Sequence, residues 1–242
     1  MWIRLRQIAL VAHDLESVVG DFHDKIGLDV AYRDPGVKSF GLRNAVMPAG
    51  QQFIEVVSPI QDGTTGGRYL ERRGGDGGYM VILQIEDHDA VKKRIADLGV
   101  RKVVEQDGHE YKIMQLHPKD TGGSFLEIDV QDGGESMDGP WEPAGPNWQA
   151  ARTSVVTGVT AADIQADDPA ALATRWSAIL GRPVVSDSAG RATIDLDNAT
   201  LRFVGSTDGR GEGLGGIDVA LAPGSSTAGA TMTIGGLRVT VS

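Results

Sequence analysis

The chain has no cysteine, an absence that removes disulfide staples, thiolate nucleophiles and cysteine-ligated zinc from consideration. It also has no run of lysine and arginine long enough to make a basic patch. Its 23 basic residues stand against 33 acidic ones, and a net charge of -10 sets the surface against nucleic acid and anionic membranes. No segment approaches the roughly 20 apolar residues of a membrane span. The opening M-W-I-R-L-R-Q lacks the apolar stretch of a signal peptide. These absences lead us to expect a cytoplasmic, soluble globular protein of one or two domains, a monomer or homodimer whose partner is a small molecule.

What is present is a strand pattern that occurs twice. Q-F-I-E-V-V at 52–57 matches S-F-L-E-I-D at 124–129, an offset of 72 that sets Glu55 on Glu127. On the period of two that governs a strand, Phe125, Glu127 and Asp129 share one face. Leu126, Ile128 and Val130 share the other and read as the side packed on helices. A carboxylate in each copy therefore faces away from the packing layer.

The rest of the chain follows the repeat. A strand over 3–12 precedes a helix that Asp14 caps and Gly27 ends after Ile26. Short strands follow, punctuated by turns at Asp34-Pro35-Gly36 and Pro48-Ala49-Gly50, and the Glu55 strand closes the unit. A short helix around Arg68 to Arg73 and a glycine-rich connector at 74–78 lead to a second start. There Leu83-Gln84-Ile85-Glu86-Asp87 aligns with Leu10-Val11-Ala12-His13-Asp14 at an offset of 73, and a helix from Ala90 to Leu98 again ends at a glycine. Strands near 101–106 and 110–116 lead into the Glu127 strand. Neither unit can bury its sheet alone; side by side they form one curved mixed sheet with helices outside and a cavity inside.

The fold class expected is α+β, tandem βαβββ units around a cavity over 1–130, with an abbreviated copy over 151–242. Between them, 131–150 reads as a Gly/Pro-rich linker whose Trp141 and Trp148 dock on a surface. In the C-terminal copy, Ala162 to Pro169 leads into a helix that runs through Leu180 and places Trp176 where Phe22 stands. A fourth unit opens at 213–221 and has no helix, because only S-S-T-A-G-A at 225–230 precedes its closing strands. Ala161 falls near the Gln7 position. Setting Phe203-Val204-Gly205 on Phe53-Ile54-Glu55 leaves a glycine in place of the glutamate, so this copy reads as carrying no carboxylate set.

Paired strand-helix-three-strand units, the opening V-A-H-D-L-E-S-V, the L-H-P-K-D-T-G-G loop and the two F-[IL]-E strands resemble the vicinal oxygen chelate superfamily. That group holds glyoxalases, bleomycin-resistance proteins and extradiol dioxygenases. The resemblance covers 3–130 well and 153–241 weakly, and the His117 to Gly123 loop is most similar to that of methylmalonyl-CoA epimerases. It implies one residue from each opening strand and one from each closing strand around a divalent metal, usually His and Glu; here these are Gln7, Glu55, Met80 and Glu127. The thioether of Met80 is a weak ligand for such ions, so no metal or other cofactor is expected. A divalent ion held loosely by Gln7, Glu55 and Glu127 is the alternative. The two-His, one-carboxylate site of an iron dioxygenase is absent.

Two facing glutamates in an apolar cavity have a use without a metal. Desolvation raises both pKa values and repulsion raises one further, so one acts as base while the other holds a proton. The expected function is proton transfer beside a carbonyl or thioester by an isomerase, epimerase or lyase, with Glu55 and Glu127 as the acid/base pair. Gln7, Met80, Phe53, Phe125 and His117 are expected to contact substrate. The alternative is a non-catalytic small-molecule binder of the bleomycin-resistance type. His13, His23, His88 and His109 read as solvated, and Arg68, Arg72 and Arg73 as charges favoured by a helix C-terminus.

Overall fold

In the computed structural model, which describes residues 1–224 and 229–242, β1 (Ile3–Val11) leads into α1 (Leu15–Ile26). Asp14 accepts from the N–H groups of Glu16 and Ser17 at the start of α1, and Gly27 ends it at φ 71°, a backbone conformation that a side chain resists. β2 (Leu42–Ala49) and β3 (Gln52–Pro59) complete the unit. Asp34-Pro35-Gly36 opens a 3-10 helix over Pro35–Phe40 and is not a bare turn, and the remaining strand is reduced to a bridge between Tyr32 and Val46. α2 (Thr65–Arg73) connects to β4 (Gly77–Ile85), α3 (Asp89–Asp97), β5 (Lys102–Asp107), β6 (Tyr111–Leu116) and β7 (Phe125–Gln131). Antiparallel pairing of β1 with β4 joins both units into one sheet of order β2-β3-β1-β4-β7-β6-β5.

The plan then repeats. β8 (Val156–Ala166) runs through residues expected to lead into the helix, and α4 (Pro169–Leu180) starts only after Asp168 caps it. β9 (Val185–Ser186), β10 (Ala192–Asp195), β11 (Thr200–Gly205), β12 (Gly213–Leu221), β13 (Thr231–Ile234) and β14 (Leu237–Val241) complete a second sheet of order β13-β14-β12-β8-β11-β10-β9. The α+β class and the paired units are thus those the repeat implied. The expected absence of a fourth helix falls on a segment whose residues 225–228 lie outside the described residues. Among the described residues no helix is long and apolar enough to cross a membrane.

Two β-bulges set what faces the cavity. Arg6 is the extra residue between Leu5 and Gln7, and Tyr79 the extra one between Gly78 and Met80. Each bulge re-aims a side chain, so the consecutive residues Arg6 and Gln7, and Tyr79 and Met80, project to the same concave face. The second sheet keeps both bulges, at Thr160 in β8 and Gly215 in β12. Its residues therefore map one by one: Ala161 on Gln7, Asp163 on Ala9, Gly216 on Met80.

This mapping corrects the reading of the C-terminal copy. Ala9 pairs with Glu55 in the first sheet and Asp163 with Arg202 in the second, so Arg202, and not Gly205, holds the Glu55 position. Thr240 holds that of Glu127. The face is also not free of acids. Arg202 bridges Asp163 at 2.5 Å and Asp218 at 2.6 Å, and Arg238 bridges Asp163 as well, so ion pairs fill the place that the cavity occupies in the first sheet.

The helix-bearing faces of both sheets share one core, with Ile8, Leu10, Phe22 and Leu83 clustered with Ile164, Trp176, Phe203 and Leu214. Polar clamps cross the same boundary. The Gln52 amide bonds both the N–H and the C=O of Val159, and Arg73 donates to the carbonyls of Arg210, Gly211 and Glu212. A fragment ending at Asp132 would expose a face whose large side chains are each worth about 1.5–3 kcal/mol when buried. We expect it to melt well below the full chain or to self-associate; a monomeric fragment of equal thermal stability would refute this.

Candidate active site

The concave face of the first sheet lines a cleft of about 1030 Å³. Its walls are aromatic because the bulge and α2 bring Tyr69, Tyr79 and Phe125 together, with ring centroids 4.9 and 5.0 Å apart in edge-on pairs. Gln7, Glu55, Met80, Phe125, Glu127 and His117 all line it. Phe53 does not. It lies fully buried beneath the linker, stacked on Trp141 at 6.4 Å and edge-on to Trp148 at 4.9 Å, and so backs the site without meeting a ligand.

Glu55 is held by a chain of amide donors. Asn44 Nδ2 donates to its Oε1 at 2.6 Å and Gln7 Nε2 to its Oε2 at 2.9 Å. The sense of both amides is fixed from behind: Trp141 Nε1 donates to Gln7 Oε1 at 2.7 Å, and the Asp34 N–H donates to Asn44 Oδ1 at 2.8 Å. Burial pushes the Glu55 carboxyl up to about 7, against the pull of the Asn44 and Gln7 donors and with a further push from the charge of Glu127.

Glu127 is buried too and is raised by that burial, with Gln115 of β6 opposite it as a donor. Two residues on, Asp129 is raised well above the usual carboxylate range by burial first and by the Glu127 charge second. Tyr111 Oη donates to Asp129 Oδ2 at 2.5 Å. A site with three buried carboxyls and few cations is suited to exchanging protons.

Asn44, Tyr111, Gln115, Asp129 and Trp141 escaped the sequence reading as site residues. Asp129 gave a signal, since it shares its strand face with Glu127, and Trp141 gave another as a large aromatic in a linker. Nothing in the sequence marks Asn44. Arg73 is a buried clamp, while Arg68 and Arg72 line the cleft together with Lys119, so two of the three arginines do more than balance a helix dipole. His88 is not solvated: it is buried and its Nε2 lies 2.7 Å from the Ile128 carbonyl. His117 stands at the rim, where its Nδ1 accepts the Lys119 N–H.

The divalent metal implied by the superfamily does not fit these donors. Gln7 Oε1 is taken by the Trp141 indole, both Glu55 oxygens accept from amides, and Met80 offers a thioether. Of these four only Glu127 has an oxygen, Oε2, without a donor, and beside it Asp129 Oδ1 and Gln84 Oε1 lack one too. Three free oxygens are short of the six or so a hard cation takes, and the site offers no thiolate and only the rim imidazole of His117 for zinc. Elemental analysis of untagged protein is expected to find much less than one equivalent of zinc, nickel, iron or manganese, and chelator to leave ligand binding unchanged; a full equivalent lost together with binding would contradict this.

The sequence of residues 8–180 matches the family model described as a glyoxalase-like domain. The chain belongs to the glyoxalase-like family. It lies thereby in the vicinal oxygen chelate superfamily. An ethylmalonyl-CoA/methylmalonyl-CoA epimerase of Cereibacter sphaeroides is 24% identical over 131 residues, which is 52% of this chain and 96% of that protein. The mitochondrial methylmalonyl-CoA epimerase of Homo sapiens is 21% identical over 129 residues, 52% of this chain and 73% of its own. A hypothetical protein from Staphylococcus aureus matches the full length in structure, with a TM-score of 0.71 at 14% identity over 100% of this chain and 99% of the other. That likeness shows a shared two-sheet fold.

Proposed function

We propose that this glyoxalase-like protein moves a proton at the carbon beside a carbonyl or thioester of a small molecule, as an isomerase or epimerase, with Glu55 and Glu127 as its acid/base pair. The observation that carries the reading is two glutamates, one from each closing strand, buried in an aromatic cleft, Glu55 raised to about 7 and Glu127 raised by its burial. A general acid or base works best when its pKa lies near the working pH, and carboxyls reach that range only in such surroundings. One glutamate removes the proton and leaves an enolate; the other returns a proton to the opposite side of the carbon.

The two epimerases to which half of this chain is similar make CoA thioesters the first compounds to try. Arg68, Arg72 and Lys119 at the cleft mouth supply positive charge for a phosphate-bearing tail, and the aromatic walls suit the acyl part. The experiment is a screen of CoA esters, 2-oxo acids and hydroxyketones for incorporation of solvent deuterium. Exchange that wild type catalyses and Glu55→Gln does not supports the reading. Tight binding with no exchange in any class would replace it with a binding protein, for which the walls suffice and the carboxyls are idle.

A further inference from the structure

Among the described residues, three buried side-chain oxygens that can only accept have no hydrogen-bond donor: Gln84 Oε1, Glu127 Oε2 and Asp129 Oδ1. All three belong to one spot. Gln84 of β4 pairs directly with Asp129 of β7, and the carboxyls of Glu127 and Asp129 lie in hydrogen-bonding contact. Two ionised carboxylates cannot hydrogen-bond each other, and an acceptor buried without a donor costs about 1–3 kcal/mol. A cluster of orphan acceptors around two touching carboxyls is therefore short of a proton.

The remaining neighbours do not supply one. Tyr111 gives its hydroxyl to the other oxygen of Asp129, the Met114 backbone N–H also bonds Asp129, Gln115 donates to Glu127, and Tyr79 of β4 and Glu55 of β3 line the same cleft, yet Glu127 Oε2 and Asp129 Oδ1 stay without a donor. None of these groups is a cation. Arg4, on the strand beyond Gln84, donates to the carbonyls of Gly134 and Glu135.

We propose that Asp129 keeps a proton and donates it in a hydrogen bond to Glu127, which makes Asp129 the positioning residue of the acid/base pair. The inference rests on the proposed proton transfer and adds its charge balance. Burial of Asp129 first and the charge of Glu127 second favour the protonated form of Asp129, against the pull of the Tyr111 and Met114 donors. Before and after turnover three carboxyls then hold two protons and one negative charge, and while the enolate lasts they hold three protons and the enolate carries the charge. In one direction ionised Glu127 takes the proton from carbon, the C–H electron pair remains as the enolate, and protonated Glu55 returns its proton to the opposite face; in the other direction the two exchange roles. The Asp129 proton is not consumed. Without it, Glu127 would itself hold the proton that Asp129 lacks and would be lost as a base.

The test compares Asp129→Asn with Asp129→Leu. Asn keeps an acceptor for Tyr111 and offers an N–H to Glu127, and so imitates a protonated aspartate; Leu has its bulk and no donor. We expect Asn to keep the melting temperature and to hold deuterium exchange within about threefold of wild type. Leu should lower exchange by about tenfold or more and shift the basic onset of the pH profile upward. Independently of any substrate, the infrared carbonyl band of a protonated carboxylic acid should persist in wild type at about pH 8, where Glu55 at about 7 is mostly ionised, and shrink in Asp129→Asn to the minor share that Glu55 contributes. No band beyond that share, or an Asn variant as unstable as the Leu one, would overturn the proposal. The band present and reduced to that share on substitution, with no exchange by any form of the protein, would uphold the shared proton and remove the catalytic reading alone.

Discussion

Glu55→Gln and Glu127→Gln are each expected to lower solvent-deuterium exchange by about 10²-fold or more while ligand affinity stays within a few-fold, since general acid–base catalysis is worth about 10²–10⁴. Shape and the aromatic walls survive both changes. The same substitutions carry a signature in stability. Burial lifts Glu55 from 4.5 to about 7, so between those values the folded chain holds a proton that the unfolded chain has released. Wild type should therefore lose stability as pH rises from about 4.5 through about 7, with the loss complete above that value. Glu127 and Asp129 are raised as well and act in the same direction. A glutamine at 55 has no proton to lose, and its melting temperature should fall less between about pH 5 and 8, a difference of up to ~3 kcal/mol. Part of that gain is offset, because the new amide must turn away from one of its two amide donors. Parallel melting curves at several pH values check this; a pH dependence identical to wild type would count against a titrating Glu55.

Trp141→Ala is expected to be among the most damaging changes outside the sheet, costing about 3–5 kcal/mol as a large buried aromatic replaced by a methyl. Trp141 is 1% exposed, lies against Phe53 and Tyr111, and has the Arg6 guanidinium 5.4 Å from its ring centroid. For a chain of this length that loss lowers the melting temperature by roughly 6–20 °C. Trp141→Phe separates packing from hydrogen bonding. It keeps most of the ring but leaves Gln7 Oε1 without its indole donor, a loss of about 1–3 kcal/mol. The freed Gln7 amide can rotate, so exchange should fall in Trp141→Phe even where melting changes little. A Phe variant with wild-type exchange would mean that the indole N–H does not orient Gln7.

How much of this was legible in the sequence depended on phase. Glycines at 27 and 99, the Asp14 cap and the recurrence of F-[IL]-E are local signals, and they gave the paired units and the cleft-facing positions of Glu55 and Glu127. Bulges are not local signals. A strict period of two puts Arg6 opposite Gln7, with Ile8 and Leu10; the bulge turns it to the concave side, where it faces Phe53, Trp141 and Trp148. The C-terminal copy was misaligned at Gly205 because nothing in β11 resembles Q-F-I-E, and only the bulge at Thr160 and the pairing of Asp163 with Arg202 fix its register. Asn44 and Gln115 became visible only through what they touch. An amide on a strand says nothing until the carboxylate across from it is known.

The linker that closes the cleft is part of the same polypeptide. Arg4 and Arg6 grip its carbonyls at Gly134, Glu135 and Met137, Trp141 docks in the floor, and Glu142 and Pro143 form the end wall. A wall contributed by a separate subunit is lost on dilution, whereas a tethered one meets its seat at a fixed effective concentration set by the span it bridges. Whatever assembly the protein adopts, this wall of the cleft is set within each chain. Dilution from micromolar to nanomolar protein should then leave this wall seated.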